Sequence, residues 1–262
     1  MHTTYRVVNT YSSLFYIDYA VGLPLATIFI CYGIAVYLGH VDKPWLPMIS
    51  DCGVFPPEKY IFRVGLITSA GLLLRAAKMV RDYVRATARQ QQRAASATSA
   101  SFLGLKHSVE DWSVYIVSVS SASLATVAAV SEQEDNPIHS TAAVIFFVTY
   151  IAYMWLMTFR MRGLSLTREW DGTVFAIRLT ISSLVTVAFS FFIWVNVRGL
   201  PYNPYAAMPE WLGTLLILLF NLTFRHDFAG SNGANTLYLA TAMSQNNGHM
   251  QNGWGEESDD EE

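Results

Sequence analysis

The chain has 262 residues, of which 52% are hydrophobic and 14% aromatic, while charged residues make up 14% and the formal net charge is −3. An ordinary soluble domain carries about 25% charged residues. The composition therefore argues against a soluble domain and indicates a membrane protein, for which we expect no nucleic-acid partner, no cofactor and no metal.

The apolar residues fall into six blocks, and each approaches the roughly 20 residues that cross about 30 Å of hydrocarbon as a helix. The sequence thus predicts an all-α fold, a polytopic membrane helix bundle with six transmembrane helices in a domain of residues 1–228. The predicted spans cover about residues 19–38, 60–80, 112–130, 138–159, 173–195 and 206–224.

The distribution of Lys and Arg predicts the orientation of the bundle. If both termini are cytoplasmic, most basic residues lie in the cytoplasm, as the positive-inside rule requires. Only Lys43, Lys59, Arg63 and Arg198 then fall outside. The first apolar block lacks a convincing small-residue cleavage site, so we expect it to anchor the chain rather than act as a removable signal.

The connection between the first two spans includes "ISDCGVFPPEKYIFR", residues 49–63, which is too polar and too rich in breakers to cross a membrane. Glu58 falls near the first turn of the second span, where a carboxylate complements the helix dipole. One interpretation is a shaped plug that closes the outer end of the bundle. The other is a polar site for a lipid headgroup or a protein, formed at the outer interface by Asp51, Glu58, Arg63, His139 and Glu210.

An arginine stripe, Arg81, Arg85, Arg89 and Arg93, follows the second span. On a continuing helix, a spacing of four places these residues along one slowly drifting stripe. We expect the stripe to contact anionic lipid of the cytoplasmic leaflet, with phosphoinositide as the expected lipid. The alternative is that these arginines only fix the topology.

Polar residues within the later spans predict helix packing. The third span holds Ser, Thr and Ala at small-xxx-small spacings, which let membrane helices approach closely. In the fifth span, Arg178 lies near the cytoplasmic end. We expect it to reach the interface or to pair with Glu110, Asp111 or Asp171.

The segment from residue 229 to 262 is predicted to be a disordered, acidic cytoplasmic tail. It is rich in Asn, Gly and Gln and ends "EESDDEE", a composition that cannot bury a core. Ser258 precedes four acidic residues and is therefore a candidate site for an acid-directed kinase. The alternative is an end that only increases solubility.

Two motifs resemble a known family. "PMISDCGVFPPEKYIF" resembles the P-x-I-S-D-x-G-x-x-P-P-E loop of the damage-regulated autophagy modulators (DRAM) and their Sfk-type relatives, within the Frag/DRAM/Sfk superfamily. "EWLGTLLILLFNLTFRHDF", residues 210–228, resembles the last span of that family with its Leu-Thr-Phe-x-x-Asp-Phe pattern. His139, at the start of the fourth span, is a weaker match. The resemblance covers most of the chain through Phe228 and implies six spans.

The resemblance also implies a function. We expect a DRAM-like modulator or scaffold of a lysosomal, endosomal or plasma membrane, linked to autophagy or to phosphoinositide-dependent regulation, with lipids and a membrane-protein or kinase-scaffold partner. The alternative is a lipid-remodelling enzyme or a lipid-binding or transfer protein, related to factors that remodel GPI anchors. No H-x-x-x-D, H-E-x-x-H or G-x-S-x-G arrangement accompanies His139. We therefore expect His139 to be structural, and the sequence favours a protein that is not an enzyme over an enzyme.

Overall fold

A computed structural model of the chain describes residues 10–42, 45–95, 106–162, 171–198 and 207–228. Over these ranges it contains α-helices and a short 3-10 helix, Asp51–Gly53, but no β-strand. Six of the described helices are long and apolar enough to cross a membrane. The predicted all-α, six-helix architecture is confirmed. The helices are α1 Thr10–Leu38, α2 Glu58–Ala95, α3 Lys106–Ala129, α4 Glu132–Arg162, α5 Asp171–Val197 and α6 Ala207–Phe228.

The helices extend beyond several predicted spans because polar residues continue them past the apolar blocks. Helix α2 runs to Ala95, well beyond the predicted limit near residue 80. Helix α4 begins with a separate turn, since Asp135 has an extended backbone (φ −158°, ψ 91°). The Asp135 side chain accepts a hydrogen bond from the Ile138 N–H at 3.0 Å and so caps the main part of α4.

The six helices pack as one bundle in which successive helices run in opposite directions. Helix α2 contacts α1 and α3, and α4 contacts α3 and α5. Helix α6 joins through a buried hydrogen bond of 2.8 Å from Tyr150 Oη of α4 to Asn221 Oδ1. It also places the Trp211 ring against Phe29 and Tyr32 of α1.

This alternation gives the bundle two chemically different ends. We name as the capped end the one that carries the connector between α1 and α2 (residues 39–42 and 45–57) and the starts of α4 and α6. The opposite end, where α2, α4 and α6 finish, is the basic end. Its described cations include Arg75, Lys78, Arg81, Arg85, Arg160, Arg162 and Arg225.

A buried arginine holds the basic end together. Arg178 of α5 is only 3% exposed. It forms an ion pair with Asp227 of α6 and donates from Nε to Thr223 Oγ1 at 2.8 Å. Its guanidinium carbon lies 5.0 Å from the centre of the Phe224 ring. The partner therefore comes from α6 and is none of the carboxylates expected from the sequence.

Candidate functional site

The connector is held at the capped end by the start of α6. The Trp211 indole N–H donates to the backbone carbonyl of Pro47 at 2.8 Å. The Ile49 N–H donates to Glu210 Oε2 at 2.9 Å. Because an unpaired peptide group in a partly buried position is costly, these two bonds fix the path of the connector over α6.

A second contact joins the connector to the start of α4. Ser50 Oγ donates to Glu132 Oε1 at 3.3 Å. His139 Nε2 lies 3.9 Å from the same Glu132 oxygen, while His139 Nδ1 lies 2.6 Å from the Val130 carbonyl oxygen. Asp51, in the 3-10 helix, is half-buried beside this group. The histidine ring is therefore used to hold the turn between α3 and α4.

The end of α1 places a histidine on the connector. Gly39 has a positive φ of 71°, a conformation that glycine adopts without steric cost. The Gly39 N–H donates to the Val36 carbonyl at 3.2 Å, and the His40 N–H donates to the Ala35 carbonyl at 2.8 Å. This is a Schellman motif, which ends α1 and directs the chain away from the helix.

The most buried acid of the capped end is Glu58, the first residue of α2. Its side chain is 0% exposed, and Oε1 lies 2.5 Å from His40 Nδ1. The other oxygen, Oε2, is buried and has no hydrogen-bond partner within the described ranges. The His40 ring also lies 5.2 Å from the centre of the Phe55 ring. A single histidine thus contacts α2 and the far part of the connector.

A third group of charges lies on the surface of the capped end. Glu134 accepts from Lys59 Nζ at 2.7 Å and forms an ion pair with Arg63. It also accepts from the Ser131 N–H at 3.0 Å. These exposed contacts tie the start of α2 to the start of α4.

The five residues predicted to form one polar site all lie at the capped end, but in three separate groups. Glu58 is fully buried, and Arg63 is engaged by Glu134. Asp51, His139 and Glu210 lie around the connector and Glu132. His40 was missed by the sequence reasoning, although a glycine directly after a long apolar helix is a usable signal for the motif that positions it.

The chemistry available at the capped end is limited among the residues that the structure describes. No group of three or more His, Cys, Asp or Glu side chains there or elsewhere in the described ranges is arranged to hold a metal ion. Burial, assisted by the negative charges of Asp51 and Glu210, raises the pKa of the Cys52 thiol to about 12. A thiol with such a pKa stays protonated and is a poor nucleophile.

An open groove lies between α3 and α4 near the capped end. Its volume is about 440 Å³, a size within the range of small-molecule sites. Its lining combines apolar side chains with hydroxyls, namely Ser123, Thr126, Pro137, Ile138, Thr141, Ala142 and Ile145.

The arginine stripe lies on α2 at the basic end. Arg81 forms an ion pair of 2.9 Å with Asp82, and Arg85 forms one with Asp111 of α3. The backbone at Arg89 and Arg93 continues the same helix, but their side chains lie outside the described residues. Ser258 and the tail from residue 229 are outside them as well.

Comparison with known proteins agrees with the motifs. The family model described as "Frag1/DRAM/Sfk1/Cwh43P N-terminal domain" matches residues 12–231. The DNA damage-regulated autophagy modulator protein 1 of Xenopus laevis is 28% identical over 219 residues, covering 76% of this chain and 83% of the relative. Its human counterpart is 28% identical over 217 residues, covering 78% and 85%. No solved structure matches. Because the family model spans most of the sequence and all six helices, the chain belongs to the Frag1/DRAM/Sfk1/Cwh43 family of multi-pass membrane proteins.

Proposed function

We propose that this protein is a DRAM-like modulator or scaffold of a lysosomal, endosomal or plasma membrane that acts in autophagy or in phosphoinositide-dependent regulation. The observation that carries the proposal is the similarity, over more than 80% of their length, to two relatives named as autophagy modulators. A scaffold of this kind acts through lipids and a membrane-protein or kinase partner.

The contacts of the capped end favour a scaffold over a lipid-remodelling enzyme. Polar side chains at this end form hydrogen bonds that hold the connector in place. Glu210 accepts from the Ile49 N–H, and Glu132 accepts from the Ser50 hydroxyl. His139 is buried against the Val130 carbonyl. A general base must reach its substrate within hydrogen-bonding distance, whereas the two ring nitrogens here face the Val130 carbonyl and Glu132.

We place the basic end in the cytoplasm and the capped end in the lumen or outside the cell. The charge difference between the two ends supports this orientation by the positive-inside rule. A protease-protection assay on sealed vesicles tests it, using a tag placed after Glu262. Digestion of the tag in intact cytoplasm-side-out vesicles is expected, and full protection would reverse the assignment.

The arginine stripe is our candidate for contact with anionic lipid. The stripe lies on α2 where its apolar span ends, which is at the membrane surface. Each clustered cation there contributes about 1 kcal/mol towards binding anionic lipid. The ion pairs of Arg81 and Arg85 with Asp82 and Asp111 offset part of that attraction. Arg160, Arg162 and Arg225 at the same end add to the positive field.

The function is tested by disrupting the gene and re-expressing tagged protein. Autophagic flux is measured as the lysosome-dependent turnover of an autophagosome membrane marker, and the tag is imaged against lysosomal and plasma-membrane markers. We expect reduced flux, restored by the intact chain, with the tag on one of those membranes. Unchanged flux together with a tag confined to another organelle would contradict the proposal.

The enzyme alternative has its own discriminating result. A His139→Gln protein that inserts normally should restore flux, because the contacts of the ring with the Val130 carbonyl and Glu132 are structural. Loss of a lipid-converting activity in correctly inserted His139→Ala protein would instead favour an enzyme.

A further inference from the structure

We propose that His40 and Glu58 form a proton-controlled latch, which holds the connector against the bundle near neutral pH and releases it on acidification. The inference concerns the molecule itself. Its biological use rests on the proposed function, because only a capped end facing an acidified lumen would meet the necessary change of pH.

The first argument is the burial of Glu58. A carboxylate without access to water is very costly unless it is paired. Glu58 is 0% exposed, and His40 is its only described ion-pair partner, at 2.5 Å. Among the residues that the structure describes, Oε2 has no hydrogen-bond partner. The stability of this position therefore depends on the contact between the carboxylate and the imidazole.

The second argument is where the pair lies. His40 lies two residues after the end of α1, and Glu58 is the first residue of α2. Their contact therefore joins the two ends of the connector. The His40 ring also packs beside Phe55 within the connector. His40 is 28% exposed in its side chain, so water and protons reach the pair from the histidine side.

The third argument is the effect of adding a proton. With one proton on the pair, the contact is a charge-assisted hydrogen bond, which is stronger than a neutral one. A second proton neutralises Glu58 and leaves a cationic His40 that water solvates better than the protein does. The contact weakens, and the connector loses the bond that joins its two ends, while its contacts with Glu132, Glu210 and Trp211 then hold it alone.

Other titratable groups surround the latch and must be separated from it. Helix α1 contributes Cys31, whose Sγ lies 3.4 Å from the Glu58 carbonyl oxygen. Helix α2 contributes Lys59, which is bound to Glu134 of α4. The connector contributes Asp51 and Cys52, and α4 and α6 contribute Glu132, His139 and Glu210 around them.

Cys52 provides a direct readout of the connector. It is 0% exposed, and its Sγ contacts the Met48 carbonyl oxygen at 3.4 Å. A thiol reagent reaches it only when the connector opens, so the labelling rate follows the opening equilibrium. The full-length protein in nanodiscs is treated with 4,4′-dithiodipyridine, and the Cys52 peptide is quantified by mass spectrometry. Each rate is divided by that of N-acetylcysteine at the same pH.

In the intact protein we expect the normalised rate to rise about tenfold or more between about pH 7.5 and about pH 4.5, an acidification that can add protons to imidazole and carboxylate groups of proteins in general. Glu58→Gln should label quickly and equally at both pH values. His40→Gln should reverse the response, because the unpaired Glu58 carboxylate is then tolerated only when acid neutralises it. Two variants with different expected outcomes keep the test decisive if either fails to insert.

His139→Gln is the matched control, because it removes the other histidine that the structure describes at the capped end. It should keep the response of the intact protein. A response that survives in Glu58→Gln, or that disappears in His139→Gln, would assign the pH sensitivity to other groups and overturn the latch. These outcomes are measured on purified protein, so they stand apart from any result on autophagic flux or membrane localisation.

Discussion

The ion pair between Arg178 and Asp227 gives a prediction whose size follows from its burial. Asp227→Ala leaves the guanidinium buried at 3% exposure without its charge partner. Breaking a buried pair by removing one member costs about 3 to 5 kcal/mol. Arg178 keeps its hydrogen bonds to Thr223 and its contact with the Phe224 ring, so we expect about 3 kcal/mol. For a chain of this size that corresponds to a fall in Tm of roughly 6 to 12 °C.

The assay is thermal unfolding of purified protein in a fixed detergent, with Arg178→Met and the double variant completing a cycle. The double variant should be more stable than Asp227→Ala alone, because it removes the uncompensated charge. Asp18→Ala is the matched control. It breaks the exposed pair between Asp18 and Arg225, whose side chains are 40% and 58% exposed and 3.6 Å apart, and should cost less than about 1 kcal/mol. Equal losses from Asp227→Ala and Asp18→Ala, or simple additivity in the cycle, would refute the reasoning.

Three further predictions follow from packing and charge. Gly65→Leu should lower the Tm clearly, because even a Cβ there would overlap a side chain of α1, whereas Gly71→Leu, on an open face of α2, should not. Replacing the arginine stripe by Gln should weaken binding to phosphoinositide liposomes at low salt more than at high salt. Unchanged binding by correctly inserted protein would mean that the stripe only fixes the topology of the chain. Ser258 should carry phosphate in cells, which phosphopeptide mass spectrometry detects, and its absence across growth conditions would remove that hypothesis.

The sequence predicted the helices well because crossing hydrocarbon requires apolar blocks of a defined length. It predicted their ends less well, since hydrophobicity reports what lipid covers and not where the hydrogen-bonded helix stops. Helix α2 continues to Ala95 through a polar segment because that segment is rich in Arg, Gln and Ala, which have high helix propensity. The break at Asp135 depends on a side-chain cap that a hydropathy profile does not detect.

The partners within each site could not be predicted because they are far apart along the chain. Asp227 lies 49 residues from Arg178, and Glu210 lies 161 residues from Ile49. Glu110, Asp111 and Asp171 are the carboxylates that the sequence places near the same end of the bundle, whereas the actual partner, Asp227, is brought there because α6 packs beside α5. The order of helices around the bundle determines these contacts, and hydropathy carries no information about that order.

The motifs that identify the family have a structural explanation in these contacts. In the last-span motif, Thr223, Phe224 and Asp227 surround Arg178 at the basic end. The next motif residue, Phe228, packs its ring 5.1 Å from that of Tyr83 on α2.

The loop motif also supplies structural contacts, in this case at the capped end. Ile49 and Ser50 bind Glu210 and Glu132, and Glu58 contacts His40. Residues that lock α6 and the connector are needed whatever the protein binds. One fold can therefore serve different functions on sites outside these motifs. For this chain, we expect the distinguishing chemistry in the arginine stripe and the acidic tail, which lie outside the two shared motifs, rather than in the motifs that reveal its family.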